Sequence, residues 1–233
     1  TEAVAEEFGK QGGAKVIVGI SGTGGGFKRF CRGETDISNA SRPIKQKEVD
    51  ACREGGVQYV EFKVAYDGLA VVVHPKNTWV DYLTVAELKS IWEPPAQGVI
   101  TKWSQVRPGF PEKGLELFGP GTDSGTFDYF TEAVNGKSGS CRGDYTDSED
   151  DNALVVGVAT NEGGLGYFGL AYYEENKDKL KVVPIKKSAG SDAVAPSQQT
   201  VLQGSYTPLS RPLLIYVNKR SLKTKPAVKK FVQ

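Results

Sequence analysis

Two stretches of this chain repeat one arrangement, and that arrangement narrows the folds open to it. Residues 15–20 read KVIVGI, a short β-branched run followed at once by SGTGGGFKRFCRG, and residues 117–130 read LFGPGTDSGTFDYF. In each, glycines and hydroxyls precede helical spacing: Phe27, Phe30 and Cys31 in the first, Phe127, Phe130 and Val134 in the second. Gly33 and Asn135-Gly136 supply the stops. The first turn of a helix leaves four N–H groups without partners and carries the positive end of the macrodipole, so an oxyanion is its natural occupant. In the second stretch Asp123 or Ser124 is the expected N-cap. Five glycines between Gly19 and Gly26, with Ser21 and Thr23 among them, suggest backbone drawn close to a ligand. Later segments alternate short helix and strand signals, which predicts an α/β protein with largely parallel pairing.

Composition removes several classes of function. The 233 residues carry 29 Lys and Arg against 28 Asp and Glu, so no global field argues for nucleic acid and any charged ligand is recognised locally. No apolar run approaches the roughly 18 residues needed to span a bilayer, and residues 1–10 lack the apolar centre of a signal peptide. The chain has no Met, even at position 1, so a processed or trimmed product is expected. Nucleotide-loop patterns fail: Gly22-x-Gly24-x-x-Phe27 lacks its last glycine, and no G-x-x-x-x-G-K-[ST] occurs. Three cysteines and the single His74 match no zinc spacing. Asp147, Glu149 and Asp151 suggest a calcium loop, but the sixth-position glycine is absent and the twelfth position is Val158. Hydrolysis would need a nucleophile with a base, and the chain has no G-x-S-x-G elbow and one imidazole.

Three further features carry charge chemistry. Residues 36–41, DISNAS, form a brief strand, and Ser41 with Arg42 then stands at a helix start, Pro43 taking its first position. An arginine there presents a planar fork of donors to a tetrahedral oxyanion; its alternative is a surface pair with Asp36 or Asp50. Asp67 breaks two apolar runs between residues 57 and 74. A near-buried carboxylate needs a partner or a shared proton, which a monohydrogen oxyanion supplies, and the alternative is an exposed Asp-Gly turn. Arg142, in a polar loop, can reach an anion; the alternative is a solvent-exposed arginine. Cys31 and Cys52 fall on inward positions of adjacent helices, so a bridge between them is expected, worth about 3 kcal/mol; Cys141 is then left over unless the pairing differs.

The order TEAVAEEF, GISGTGGGFKRF, DISNASRPI, AYDGLAVVVHP, ITKWSQV, DSGTFDYF, DYTDSEDDN, LGYFGLAYY, SRPLLIYVNK resembles the periplasmic phosphate-binding proteins of bacterial high-affinity phosphate ABC importers, especially cyanobacterial forms. The likeness runs over essentially the whole chain. It implies a type II periplasmic-binding-protein fold of two discontinuous α/β lobes joined by crossing hinge strands, residues 1–68 with 211–233 and residues 69–210. It implies capture of inorganic phosphate between lobes, without catalysis or cofactor, by a monomer that delivers to a membrane ABC permease. The location implied is periplasmic or extracellular, with a membrane anchor in the full-length form. Thr23 with Gly24, Ser41 with Arg42, and Ser124, Gly125 and Thr126 become the anion cradle. Asp67 becomes the acceptor of the phosphate proton and rejects sulfate, which would leave the carboxylate repelled and unpaired. Arg142 is carried over because some members place an arginine before the DSGT-like segment, where this chain has Pro120 and Gly121. Sulfate or molybdate binding is the alternative. Family members also begin with a strand and a Ser/Thr-rich loop that this sequence would lack, and it would stop inside the last helix.

Overall fold

The computed structural model describes residues 2–19 and 21–233. In chain order, α1 (Glu2–Lys10), α2 (Thr23–Phe30), β1 (Ile37–Ala40) and α3 (Gln46–Glu54) lead to the long strand β2 (Tyr59–Val73). Then come β3 (Leu83–Thr84), α4 (Val85–Trp92), β4 (Glu116–Gly119), α5 (Gly125–Asn135), β5 (Thr146–Asp147), α6 (Asp151–Thr160), β6 (Gly164–Gly169) and α7 (Leu170–Glu175). The chain closes with β7 (Lys181–Val182), β8 (Ile185–Lys186), β9 (Ala193–Val194), α8 (Gln198–Leu202), β10 (Ser210–Asn218), α9 (Lys219–Thr224) and α10 (Pro226–Val232). It divides into two compact units: residues 1–65 with 212–233, and residues 66–211. Each therefore owns part of β2 and part of β10.

In the first unit β1 pairs antiparallel with β10, Ile37 opposite Val217 and Ala40 opposite Leu214. Phe27, Phe30, Ala40, Val57, Leu214 and Tyr216 form its core, and the Cys31–Cys52 disulfide ties α2 to α3 within it. Helix α2 starts at Thr23, four residues before the expected Phe27, so three glycines form its first turn rather than a loop ahead of it. Close packing requires this: a Cβ on Gly26 would lie 2.8 Å from Ser38 Oγ on β1. The strand expected over residues 15–20 is not seen at 15–19, and Ile20 lies outside the described residues. A strand needs a ladder partner, and among the described residues none pairs with this run, which leaves Ile17 87% exposed. Helix α3 begins at Gln46, so Pro43 lies before it, not at its first position.

The second unit is a mixed sheet, not a largely parallel one. Its β2 segment pairs antiparallel with β6 and β7, whereas β4 pairs parallel with β6 and β5. β2 thus runs opposite to the parallel set β4, β5 and β6. A smaller sheet joins β3, β8 and β9. The core is aromatic: Trp92 meets Phe130, Tyr145 and Tyr167 edge-on, and Phe130 stacks on Tyr167 at 3.6 Å. Thr84 and Glu87 cap α4 reciprocally, Ser124 caps α5, and Gly136 ends α5 in the left-handed region at φ 83°. Asp67-Gly68, read as a break, is continuous strand; a Cβ on Gly68 would lie 2.7 Å from Val201 Cγ2, so glycine is what lets α8 approach β2.

Candidate functional site

The first unit brings Thr23, Gly24, Ser41 and Arg42 together. Thr23 opens α2, and Ser41 follows β1 directly. The two hydroxyl oxygens are 3.1 Å apart, and the Ser41 N–H donates to Thr23 Oγ1 at 3.2 Å. A helix start with two adjoining hydroxyls is a set of neutral donors suited to an oxyanion. Beside it Arg42 donates to both oxygens of Glu48, Nη1 to Oε2 at 2.9 Å and Nη2 to Oε1 at 2.8 Å. Asp36 and Asp50, the partners weighed for Arg42, are bound instead by Lys225 and Arg53. Burial pushes the Glu48 carboxyl up, but bonds from Arg42 and the Lys45 N–H and the Arg42 charge outweigh it and hold the group below its ordinary value. Phe27 lies beneath the guanidinium, 5.8 Å from its carbon to the ring centroid. Gly24 adjoins the pair, since a Cβ there would lie 3.9 Å from Arg42 Nη2. The carboxylate thus fixes the plane of an arginine at the mouth of the helix.

The second unit carries a matching set. Ser124 Oγ accepts the Thr126 N–H at 3.1 Å, and Gly125 begins α5 with open space where a Cβ would stand. Asp67 pairs with Arg211: Nε donates to Oδ2 at 3.1 Å and Nη2 lies equally close. The Arg211 guanidinium stacks on Tyr129 of α5, 3.9 Å from the ring centroid, and the Tyr129 hydroxyl donates to Pro208 O at 2.6 Å. Burial raises the Tyr129 pKa, so it remains a neutral donor. Asp67 is therefore joined through one arginine to the helix that Ser124 caps.

Arg142 is placed differently from the other candidates. Its side chain is 3% exposed; Nε and Nη2 bind Asp144 at 2.5 and 2.8 Å, and Nη1 donates to the carbonyls of Ile91 and Ile100, each at 3.0 Å. A guanidinium so committed to the interior braces the 91–100 segment. Arg211 is the residue that sequence reasoning passed over. A signal for it exists: Ser-Arg-Pro occurs at 41–43 and again at 210–212, each arginine held by a carboxylate. Among the described residues no group of His, Cys, Asp and Glu could hold a metal ion.

Two α/β units that share the strands β2 and β10, each with hydroxyls at a helix start and an arginine held by a carboxylate, set the class as an α/β protein of two compact units. Comparison agrees in fold and extent: residues 1–233 match the PBP superfamily domain, and the chain belongs to that family. It is 54% identical to protein SphX of Synechococcus elongatus over all of this chain and 68% of that protein. It is 42% identical to the phosphate-binding protein PstS of Staphylococcus saprophyticus, over all of this chain and 70% of that protein. The crystal structure of a possible phosphate binding protein from Planctomyces limnophilus, 52% identical, superposes with a TM-score of 0.94 over 99% of this chain and 81% of that one.

Proposed function

We propose that the chain captures inorganic phosphate outside the cytoplasm and delivers it, unaltered, to a membrane ABC permease. The observation that carries this reading is the doubled set: Thr23, Gly24, Ser41 and Arg42 in one unit, Ser124, Gly125, Thr126 and Asp67 in the other. The names of the relatives, one of them a phosphate-binding protein at 42% identity over the whole chain, support the choice of anion. Arg211 joins the set as the second braced arginine, and Arg142 leaves it. Each arginine, held by its carboxylate, brings a fixed positive charge, and the hydroxyls and helix N–H groups supply neutral donors that bind without a counter-charge to desolvate. Asp67 keeps Oδ1 without a hydrogen bond among the described residues, which suits it to accept the proton that phosphate has and sulfate lacks. The protein acts as a monomer, and binding needs no metal or organic cofactor.

Calorimetric titration with phosphate and with sulfate, at pH 6 and pH 8, tests the reading. Phosphate should bind tightly and sulfate should give no heat; Asp67→Asn should weaken phosphate and narrow the gap between the two anions. Equal heats for both anions on the unaltered chain would refute phosphate selectivity, and heat for neither would refute the binding function.

A further inference from the structure

Charge is distributed unevenly along this chain in a way the phosphate set does not use. Residues 219–233 hold six Lys and Arg and no acid, so with a net charge of +1 overall the remaining residues carry −5. Part of this excess lines a concavity of about 730 Å³ in the first unit, where Lys219, Arg220, Lys223 and Lys225 face Arg32 beyond the end of α2. The acid in its wall, Asp36, is already held by Lys225 at 2.8 Å and by Ser221 at 2.6 Å, and Arg32 pairs at the surface with Glu34. Lys219, Arg220 and Lys223 make no ion pair among the described residues. Lys219 and Lys223 are four apart on α9, where like charges oppose each other.

The floor discriminates between ligands. The N–H groups of its three glycines are spent: Gly33 donates to Phe30, Gly55 to Ala51 and Gly56 to Arg53, at 2.8 to 3.1 Å. Helices α2 and α3 end there, so the floor presents the negative ends of their dipoles. A single dehydrated anion finds no cradle among these glycines. An anion with several separated charges can instead bridge the rim cations, and a concavity suits a ligand that enters better than a bilayer that lies across it.

We propose that this concavity binds a soluble condensed phosphate, a chain of phosphate groups sharing bridging oxygens, at a site separate from the orthophosphate set and independent of it. The probe is tripolyphosphate, titrated into the whole chain in saturating orthophosphate so that the first set is occupied. Binding is expected, weakened about tenfold between roughly 0.05 and 0.5 M salt, since exposed charges are screened over about 10 Å or less in this range. The triple variant Lys219→Glu, Arg220→Glu, Lys223→Glu should lose at least about tenfold in tripolyphosphate affinity while its orthophosphate affinity stays unchanged. A milder triple change to Gln should fall between the two, which separates loss of charge from loss of fold. Tripolyphosphate binding that is absent, or equal in all three proteins, overturns the proposal. So does cosedimentation with phosphatidylglycerol vesicles, abolished in the variants, in a protein that takes up no tripolyphosphate.

Discussion

Arginines in this protein do three kinds of work, distinguished by what surrounds them. Arg42 is clamped by Glu48 yet stays at a helix mouth, Arg211 is clamped by Asp67 and laid on Tyr129, and Arg142 is enclosed. Replacing Arg211 by Lys keeps the charge but removes the fork and the stacking, so phosphate affinity should fall about tenfold, with about 1 kcal/mol lost in stability. A Lys variant that titrates like the unaltered chain would remove Arg211 from the set. The pair of Arg142 predicts a pH effect. Its hydrogen bonds, above all, hold the Asp144 carboxyl down from 3.8 to about 2. The unfolded chain therefore takes up the proton first as the pH falls. The pair's contribution is complete above about pH 4 and is lost toward pH 2. Denaturant midpoints of Asp144→Asn should trail the unaltered protein at pH 5 and converge with it near pH 2; a constant deficit would show that the carboxylate is not its source.

Elements were legible in the sequence where local chemistry decides them. The Ser124 cap and the Asn135-Gly136 stop both stand where short-range hydrogen bonding places them. What the sequence hid depends on distant partners. The run at 15–19 has the composition of a strand but no described neighbour to pair with, and the glycines after it read as a loop although β1 requires them inside α2. The pairing of Arg211 was hidden for the same reason, because 144 residues separate it from Asp67, although the repeated Ser-Arg-Pro marked the residue itself. Asp67-Gly68 looked like a turn because nothing local reveals that Val201 rests on Gly68. Gly68→Ala should therefore destabilise the second unit by about 1–3 kcal/mol through overpacking, and Val201→Ala in the same chain should recover part of that loss. Strictly additive losses in the double variant would mean that the α8 contact is not the reason for the glycine.

At the scale of the whole molecule, two units with separate cores share one polypeptide, and their means of stabilisation differ. The second unit has a large aromatic and aliphatic core and no disulfide; Cys141, its one cysteine, is a free thiol whose pKa burial pushes up to about 11, so it is protonated and unreactive near neutral pH. The first unit has a small core built on Phe27, Phe30 and Tyr216, and the Cys31–Cys52 link crosses it with a sequence separation of 21. Small cores depend most on cross-links, because less apolar surface is buried to offset chain entropy. Reduction should then act on one unit alone. In a denaturant titration followed separately by a probe in each unit, the oxidised protein should lose about 3 kcal/mol from the first unit on reduction or in Cys31→Ala with Cys52→Ala, while the transition of the second unit stays in place. Trp92 and Trp103 report the second unit, and a fluorophore placed on the exposed face of α3 would report the first. Equal shifts of both transitions would show that the shared strands β2 and β10 bind the two cores into one cooperative unit, and phosphate would then stabilise both together.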